Sequence, residues 1–379
     1  MRSLPRVLAF SAASALVAGA CVVTVVATAL AAAGDSVVRG LDRRARPLTD
    51  APGDGDLAPF GRMIGSADVV GVDEVALATT TRRLLRYLAE HEGFRAFAHE
   101  ISWSTGVLLD DYVVHGAGDP RAILSREPRD VDRFGDAGGL LALIEWIRDH
   151  NETHDEKIRF VGAGPGHAGP VVFDRVVAYA AGVHPDLAAR LTQLYAGLRP
   201  APDTGAYPTA PLAEREHRRD RAITAYELVA ALPDDGDEHV WAVQHARSIV
   251  QHTTAFAFDL ATPEGLAAQS GYRDEVLAAN VVWWQRQTGH RIVLSVRNSD
   301  VGDAVLRDTL GDGYVSTGFT GADDDVLGRV RFDEYLVDLR RVTGPARRWL
   351  AEQGALGRGH DLLIHLDELH QSRRRPSSA

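Results

Sequence analysis

The residues best placed to do chemistry in this chain are carboxylates that follow directly on short apolar runs. Val69-Val70-Gly71-Val72-Asp73 leads into Glu74, and Phe94-Arg95-Ala96-Phe97-Ala98-His99 leads into Glu100. A third run, Arg291 to Val296, leads into Arg297-Asn298-Ser299-Asp300. Two carboxylates held together can work as an acid and a base when burial or a like charge raises the pKa of one of them. Glu74, Glu100 and Asp300 are therefore the candidate catalytic groups. Arg297, Asn298, Arg82 and Arg83 are the candidate substrate-binding groups. The same side chains have a plainer reading, in which Glu74, Glu100, Arg297 and Asp300 form a buried ion network.

These groups need elements to hold them. Thr81 to Glu92 has helical spacing, with Leu84, Leu85 and Leu88 on one stripe and Gly93 as a C-cap. Leu57 to Ile64, Ser104 to Val114 and Leu140 to His150 also read as helices. Ile158 to Val161 reads as a strand, followed by Gly162-Ala163-Gly164-Pro165-Gly166. That glycine segment lacks the Lys-Ser/Thr of a phosphate loop, and Pro165 removes a backbone donor, so it reads as a turn. From about 171 to 268 the pattern is helical, which marks a helical insertion or lobe. Glu275 to Gln287 is a helix carrying Trp283-Trp284, with Trp283 on the inward stripe. Further strands read at Tyr314 to Phe319 and Asp361 to Leu366. Strands alternating with helices predict an α/β fold with a mostly parallel sheet flanked by helices. In such sheets ligands bind at the carboxyl ends of the strands. There the tips at Glu74, Glu100 and Arg297 would meet in one cleft.

The chain has 379 residues, 45% of them hydrophobic, and a formal net charge of −11. An acidic chain without a basic face argues against a nucleic-acid partner. Lys157 is the only lysine, which fits a high-GC coding bias. Arg2 and Arg6 precede an apolar run from Val7 to Ala33, which predicts a signal peptide or a membrane anchor through residues 7–33 and an extracytoplasmic location. With Cys21 as the only cysteine, no intrachain disulfide can form. The organisation read from the chain is a leader or anchor at 1–34, a linker at 35–56, an α/β domain at 57–370 and a disordered tail at 371–379. His150 and His154 straddle a helix end and do not make a metal pair. No metal or cofactor is predicted, and the partner is a small-molecule ligand or substrate.

Several segments, in order, resemble one family. They are Gly65 to Glu74, Leu84 to Leu88, Gly93 to Glu100, Leu143 to Asn151, Lys157 to Gly162, Arg273-Asp274 with Ala279-Asn280-Val281, and Asp361 to Glu368. Together they resemble the erythromycin esterase family over roughly residues 45 to 370. The resemblance implies an α/β core with an added helical part. It also implies hydrolysis of macrolide lactones by general-base attack of water, using a histidine beside carboxylates. The family's first motif, Gly-Glu-x-x-His, is matched by Asp73-Glu74-Val75-Ala76-Leu77, with Leu77 in place of the histidine. Its later motif, Ala-His-Asn-x-His, is matched by Val296-Arg297-Asn298-Ser299-Asp300, with both histidines replaced. Where the family strand ends Gly-x-Asp, this chain has Gly162-Ala163-Gly164. Glu100 keeps its carboxylate. The expectation is a hydrolase scaffold for an ester or macrolide lactone whose activity is weak or lost. The alternatives are a carboxylate-driven cyclase or isomerase and an inactive ligand-binding homologue.

Overall fold

The computed structural model describes residues 34–49, 53–73, 80–125, 137–199, 210–233, 236–296, 300–321, 326–352 and 359–366. They form two compact units. One takes the residues up to 49 together with those from Thr320 onward, and the other takes those from 53 to Phe319. Strands and helices are numbered in chain order.

The larger unit is built on a parallel sheet. Its strands are β2 (Val69–Asp73), β3 (Phe94–Ser102), β4 (Arg159–Gly164), β5 (Arg291–Val296) and most of β6 (Tyr314–Gly321). Their order is β6-β2-β5-β3-β4, and every pairing is parallel. The strands predicted at 69–74, 94–99, 158–161 and 291–296 therefore share one sheet. Parallel sheets are covered on both faces, so their strands are continuous apolar runs. Val69, Val70 and Val72 of β2 and Ile292-Val293-Leu294 of β5 are all buried.

The helices of this unit begin with α2 (Ala58–Ile64), preceded by a 3-10 turn at Gly55–Leu57. In α3 (Thr80–His91) the stripe of Leu84, Leu85 and Leu88 is fully buried, a gain of roughly 1.5–3 kcal/mol for each leucine. Helix α4 (Trp103–His115) starts where Ser102 accepts a hydrogen bond from Thr105 N, and it ends at Gly116 in the left-handed region. Next come α5 (Pro120–Leu124) and α6 (Ala137–Thr153). After β4 follow α7 (Pro170–Val183), α8 (Pro185–Leu194), α9 (Leu212–Ala230), α10 (Asp237–Ala255) and α11 (Pro263–Thr288). The stretch read as a helical insertion holds α7 to α10 and the start of α11, joined by turns, with no strand among its described residues. Helix α12 (Asp300–Leu310) separates β5 from β6. On α11 it is Trp284 that is buried, while Trp283 is half-buried; the inward stripe lies one residue further on than the sequence suggested.

The segment Gly162-Ala163-Gly164 is not a turn, because β4 continues to Gly164. A β-carbon on Gly162 would fall on the carbonyl oxygen of Ser102, and one on Gly164 on the carbonyl oxygen of Glu100. A β-carbon on Gly106 of α4 would strike the backbone of Gly162. These glycines allow backbone to approach backbone. Opposite them the β3–β4 register shifts between His99 and Ser102, the mark of a bulge that re-aims neighbouring side chains.

The smaller unit holds β1 (Arg46–Pro47), β7 (Tyr335–Asp338) and β8 (Leu362–Leu366), joined by antiparallel pairings of β7 with both others. Two helices accompany them, α1 over residues 34–42 and α13 (Gly344–Glu352). Val37, Leu41, Tyr335, Leu339 and Leu350 form its core. Residues 35–56, read as a linker, thus contain α1 and β1. The Gly, Asp and Arg composition concealed a stripe of Val37, Val38 and Leu41, all buried. The leader or anchor expected at 1–34 and the tail from 371 lie outside the described residues, apart from Gly34. Among the described residues no helix is long and apolar enough to cross a membrane.

Candidate active site at the carboxyl edge of the parallel sheet

In register, Val72 faces Ser295 and Ser295 faces His99, while Asp73 faces Val296. Glu100 follows His99 and so lies at the level where β2 and β5 end, while β3 runs on to Ser102. Glu74, Arg297 and Asn298 lie outside the described residues, as does Leu77. Asp300 is the first residue of α12; its side chain also lies outside them.

Glu100 is half-buried and lines a small cavity with Asp274 of α11 and Asp303 of α12. Leu277, Val296 and Leu306 supply apolar walls. The space, about 10 Å³, is close to the lower limit for one water molecule. Asp303 is buried, and its two oxygens accept hydrogen bonds from Tyr314 Oη at 2.5 Å and Ser316 Oγ at 2.9 Å. Burial, with the Asp303 charge second, pushes the Tyr314 phenol well above its usual range, so the hydroxyl keeps its proton and donates. Tyr314 needs Gly71 beneath it. A β-carbon at 71 would sit 2.5 Å from the phenol oxygen.

Asp274 and Asp303 were not among the candidate residues. Asp274 lay in the Arg273-Asp274 segment of the resemblance, and Asp303 follows Asp300 at the i,i+3 spacing of one helix face. Neither ends an apolar run, the signal that picked out Glu74 and Glu100.

Neither candidate arginine of α3, Arg82 or Arg83, lines this cavity. Arg82 is exposed. Arg83 pairs with Asp56 and lies 3.4 Å from Asp54. Arg86 grips Asp54 with two hydrogen bonds, Nε to Oδ2 at 2.8 Å and Nη2 to Oδ1 at 2.7 Å. The hydrogen bond to Arg86 is the main reason that the Asp54 carboxyl is held below its usual range. Arg83 is thus engaged by the turn before α2.

Three histidines lie near the carboxyl ends of β3 and β4. His99 is fully buried within β3, and its Nδ1 accepts from Ile101 N at 3.3 Å. His252 of α10 places Nδ1 2.5 Å from the carbonyl oxygen of Gly166. A carbonyl only accepts, so the proton is on Nδ1. Burial lowers the His252 pKa to about 4 and keeps the ring neutral at neutral pH. His167, read from sequence as solvated, is half-buried beside it, with ring centroids 6.2 Å apart. None of the three lines the Glu100 cavity.

The larger unit is thus, among its described residues, an α/β fold with a parallel sheet, five helices between β4 and β5, and Glu100, Asp274 and Asp303 around one small cavity. The family model described as erythromycin esterase matches residues 89–324. The chain belongs to the erythromycin esterase family. A protein of Escherichia coli described as erythromycin esterase type II is 29% identical over 112 residues, which are 28% of this chain and 26% of that protein. The match therefore spans about a quarter of that relative's length. Among solved structures, a protein from Bacillus cereus superposes with a TM-score of 0.78 at 23% identity, covering 88% of this chain and 97% of that one. A succinoglycan biosynthesis protein gives 0.75 at 23% identity, covering 88% and 96%. A mutant erythromycin esterase, EreC, in its open conformation gives 0.61 at 14% identity, covering 85% and 97%. At these identities the likeness to the three structures shows the fold.

Proposed function

We propose that the chain is an erythromycin esterase-like hydrolase scaffold for an ester or macrolide lactone, with lactone-opening activity that is weak or lost. One observation carries this reading. The cavity at the carboxyl edge is lined by Glu100, Asp274 and Asp303, and among the described residues no imidazole lines it. Attack of water on an ester calls for a base whose pKa lies near the working pH. At the family's histidine positions, Leu77 cannot accept a proton and Arg297 stays protonated at physiological pH. Aspartate, the residue type at 300, has an ordinary pKa of about 3.9 and is a weak base at neutrality. Losing a positioned general base costs on the order of 100- to 10,000-fold in rate. The apolar run from Val7 to Ala33 supports action outside the cytoplasm.

The test is hydrolysis of a 14-membered macrolide by the full chain, beside the triple variant Leu77→His, Arg297→His, Asp300→His. We expect little or no turnover by the native chain and a gain in the variant. Robust native turnover, abolished by Glu100→Gln, would overturn the reading. The three carboxylates around one small space favour a second reading, acid–base chemistry without a histidine, as in a cyclase or isomerase. Turnover of a non-ester substrate that is lost in Asp274→Asn would favour it.

A further inference from the structure

A groove on the larger unit lies apart from the Glu100 cavity and shares no lining residue with it. Its volume is about 390 Å³, within the range of small-molecule sites. Ala278, Val282 and Arg286 recur at every fourth residue of α11, so they share one face of that helix, and Trp283 stands beside them. Arg247 of α10 and Thr309 of α12 line the same space. Arg286 and Thr309 are exposed, and Trp283 and Arg247 are half-buried, so a guest can reach them. Edge-on contacts with Trp103 and Trp241, at centroid distances of 5.5 and 5.0 Å, fix the Trp283 ring. Ala278 and Val282 are buried and give an apolar floor.

The groove is positively charged, and nothing in its lining offsets that charge. It takes two arginines and no acidic side chain among the described residues. Arg286 makes no ion pair or hydrogen bond among them. Arg247 lies 5.9 Å from the Tyr226 ring centroid and donates from Nη2 to Tyr226 Oη at 3.3 Å. That hydroxyl is no counter-ion, and it leaves most of the guanidinium donors unspent. The chain has 52 acidic residues to 41 basic ones, and Arg159, Arg175 and Arg218 all have carboxylate partners. Two unmatched arginines around one groove stand out against them. A helix C-terminus attracts cations, which accounts for Arg286 in the last turn of α11. It does not account for Arg247, which lies in the middle of α10.

A guanidinium group pairs with carboxylate or phosphate oxygens through parallel N–H bonds. The indole and the apolar floor suit a hydrocarbon ring next to such a group. A cation would be repelled by both arginines. A neutral apolar guest would strip water from them and supply no counter-charge. An organic anion with a ring answers both halves of the lining.

We propose that this groove between α10, α11 and α12 binds a small organic anion, an aryl carboxylate or aryl phosphate, whose charged group pairs with Arg247 and Arg286 and whose ring lies against Trp283. The site is independent of the reading given for the Glu100 cavity. The test is calorimetric titration of the full chain with phenylacetate and phenyl phosphate, beside benzyl alcohol and benzyltrimethylammonium as neutral and cationic counterparts. We expect saturable binding of at least one anion and weaker binding of both counterparts. Arg286→Gln, at an exposed position, should weaken anion binding at least about fivefold with an unchanged melting temperature. Arg247→Gln should weaken it as much, and Arg247→Lys should recover part of the loss. Arg190→Gln removes an exposed positive charge from α8 and should leave the affinity unchanged. No saturable anion binding, equal or tighter binding of benzyl alcohol or benzyltrimethylammonium, affinity kept in both Arg247→Gln and Arg286→Gln, or an equal loss in Arg190→Gln would overturn the assignment.

Discussion

Asp303 shows how one side chain can fix the floor of a site. Its carboxylate is buried and receives two hydroxyl hydrogen bonds, one from a tyrosine seated over a glycine of β2. Hydrogen bonds to a charged group are worth about 1.5–3 kcal/mol each. Tyr314→Phe should therefore lower unfolding stability by about that amount in urea denaturation, and Asp303→Asn should lose more of it in a Ser316-containing background than in Ser316→Ala. Equal stability of Tyr314→Phe and the native chain would mean that the tyrosine does not hold the carboxylate. Glu100 was legible in the sequence because it terminates an apolar run. Asp303 and Asp274 were not, since a charge on a helix is most often solvated and periodicity cannot say which acidic residue turns inward. The ion pairs of Arg83 were hidden for the converse reason. Its partners, Asp54 and Asp56, are 29 and 27 residues earlier, and no local spacing announces that pairing.

At the scale of elements, the meeting of β3, β4 and α4 depends on missing side chains. Gly106, Gly162 and Gly164 each face backbone where a β-carbon would stand. Gly162→Ala should cost about 1–3 kcal/mol or more, as overpacking does. Gly182→Ala is the matched control. It lies in α7 with nothing within 4 Å of the added methyl, and it should gain roughly 0.5–1 kcal/mol. Thermal denaturation of the two variants should move in opposite directions; a harmless Gly162→Ala would sink the close-approach account. Strands at 69–73, 94–99 and 291–296 were readable from their buried apolar runs; the extension of β3 to Ser102 was not. The reach of β4 to Gly164 was not, because glycine signals a turn and a close backbone contact equally well. The four residues of β7 were too short a pattern to separate from their surroundings.

Across the whole molecule, buried histidines set the response to acid. Burial lowers the pKa values of His252 to about 4 and His245 to about 3, against about 6.5 in an unfolded chain. Between pH 6.5 and about 4 the unfolded chain binds protons that the folded chain refuses, so stability rises with pH and falls as acid is added. Each histidine contributes up to about 1.4 kcal/mol per pH unit in that window. Asp54, held low by Arg86, adds a loss of the same sign at still lower pH. Melting temperatures measured from pH 7 to pH 4 should fall steadily, and His252→Gln should flatten the slope. A profile unaffected by pH would show that these rings titrate freely in the folded state. The division into two units was not legible. Pattern reports what kind of element a segment makes, not which distant segment it packs against, so residues 34–49 and 320–366 gave no sign of sharing a core.

The contact between Gly164 and the Glu100 carbonyl also sets what can be engineered at this edge. The first atom of any side chain placed at 164 would land on a carbonyl oxygen. A carboxylate cannot be added there by one substitution; the pairing of β3 with β4, already irregular between His99 and Ser102, would have to be redesigned with it. Glu100, Asp274 and Asp303, whose side chains already line the cavity, are the positions open to single changes.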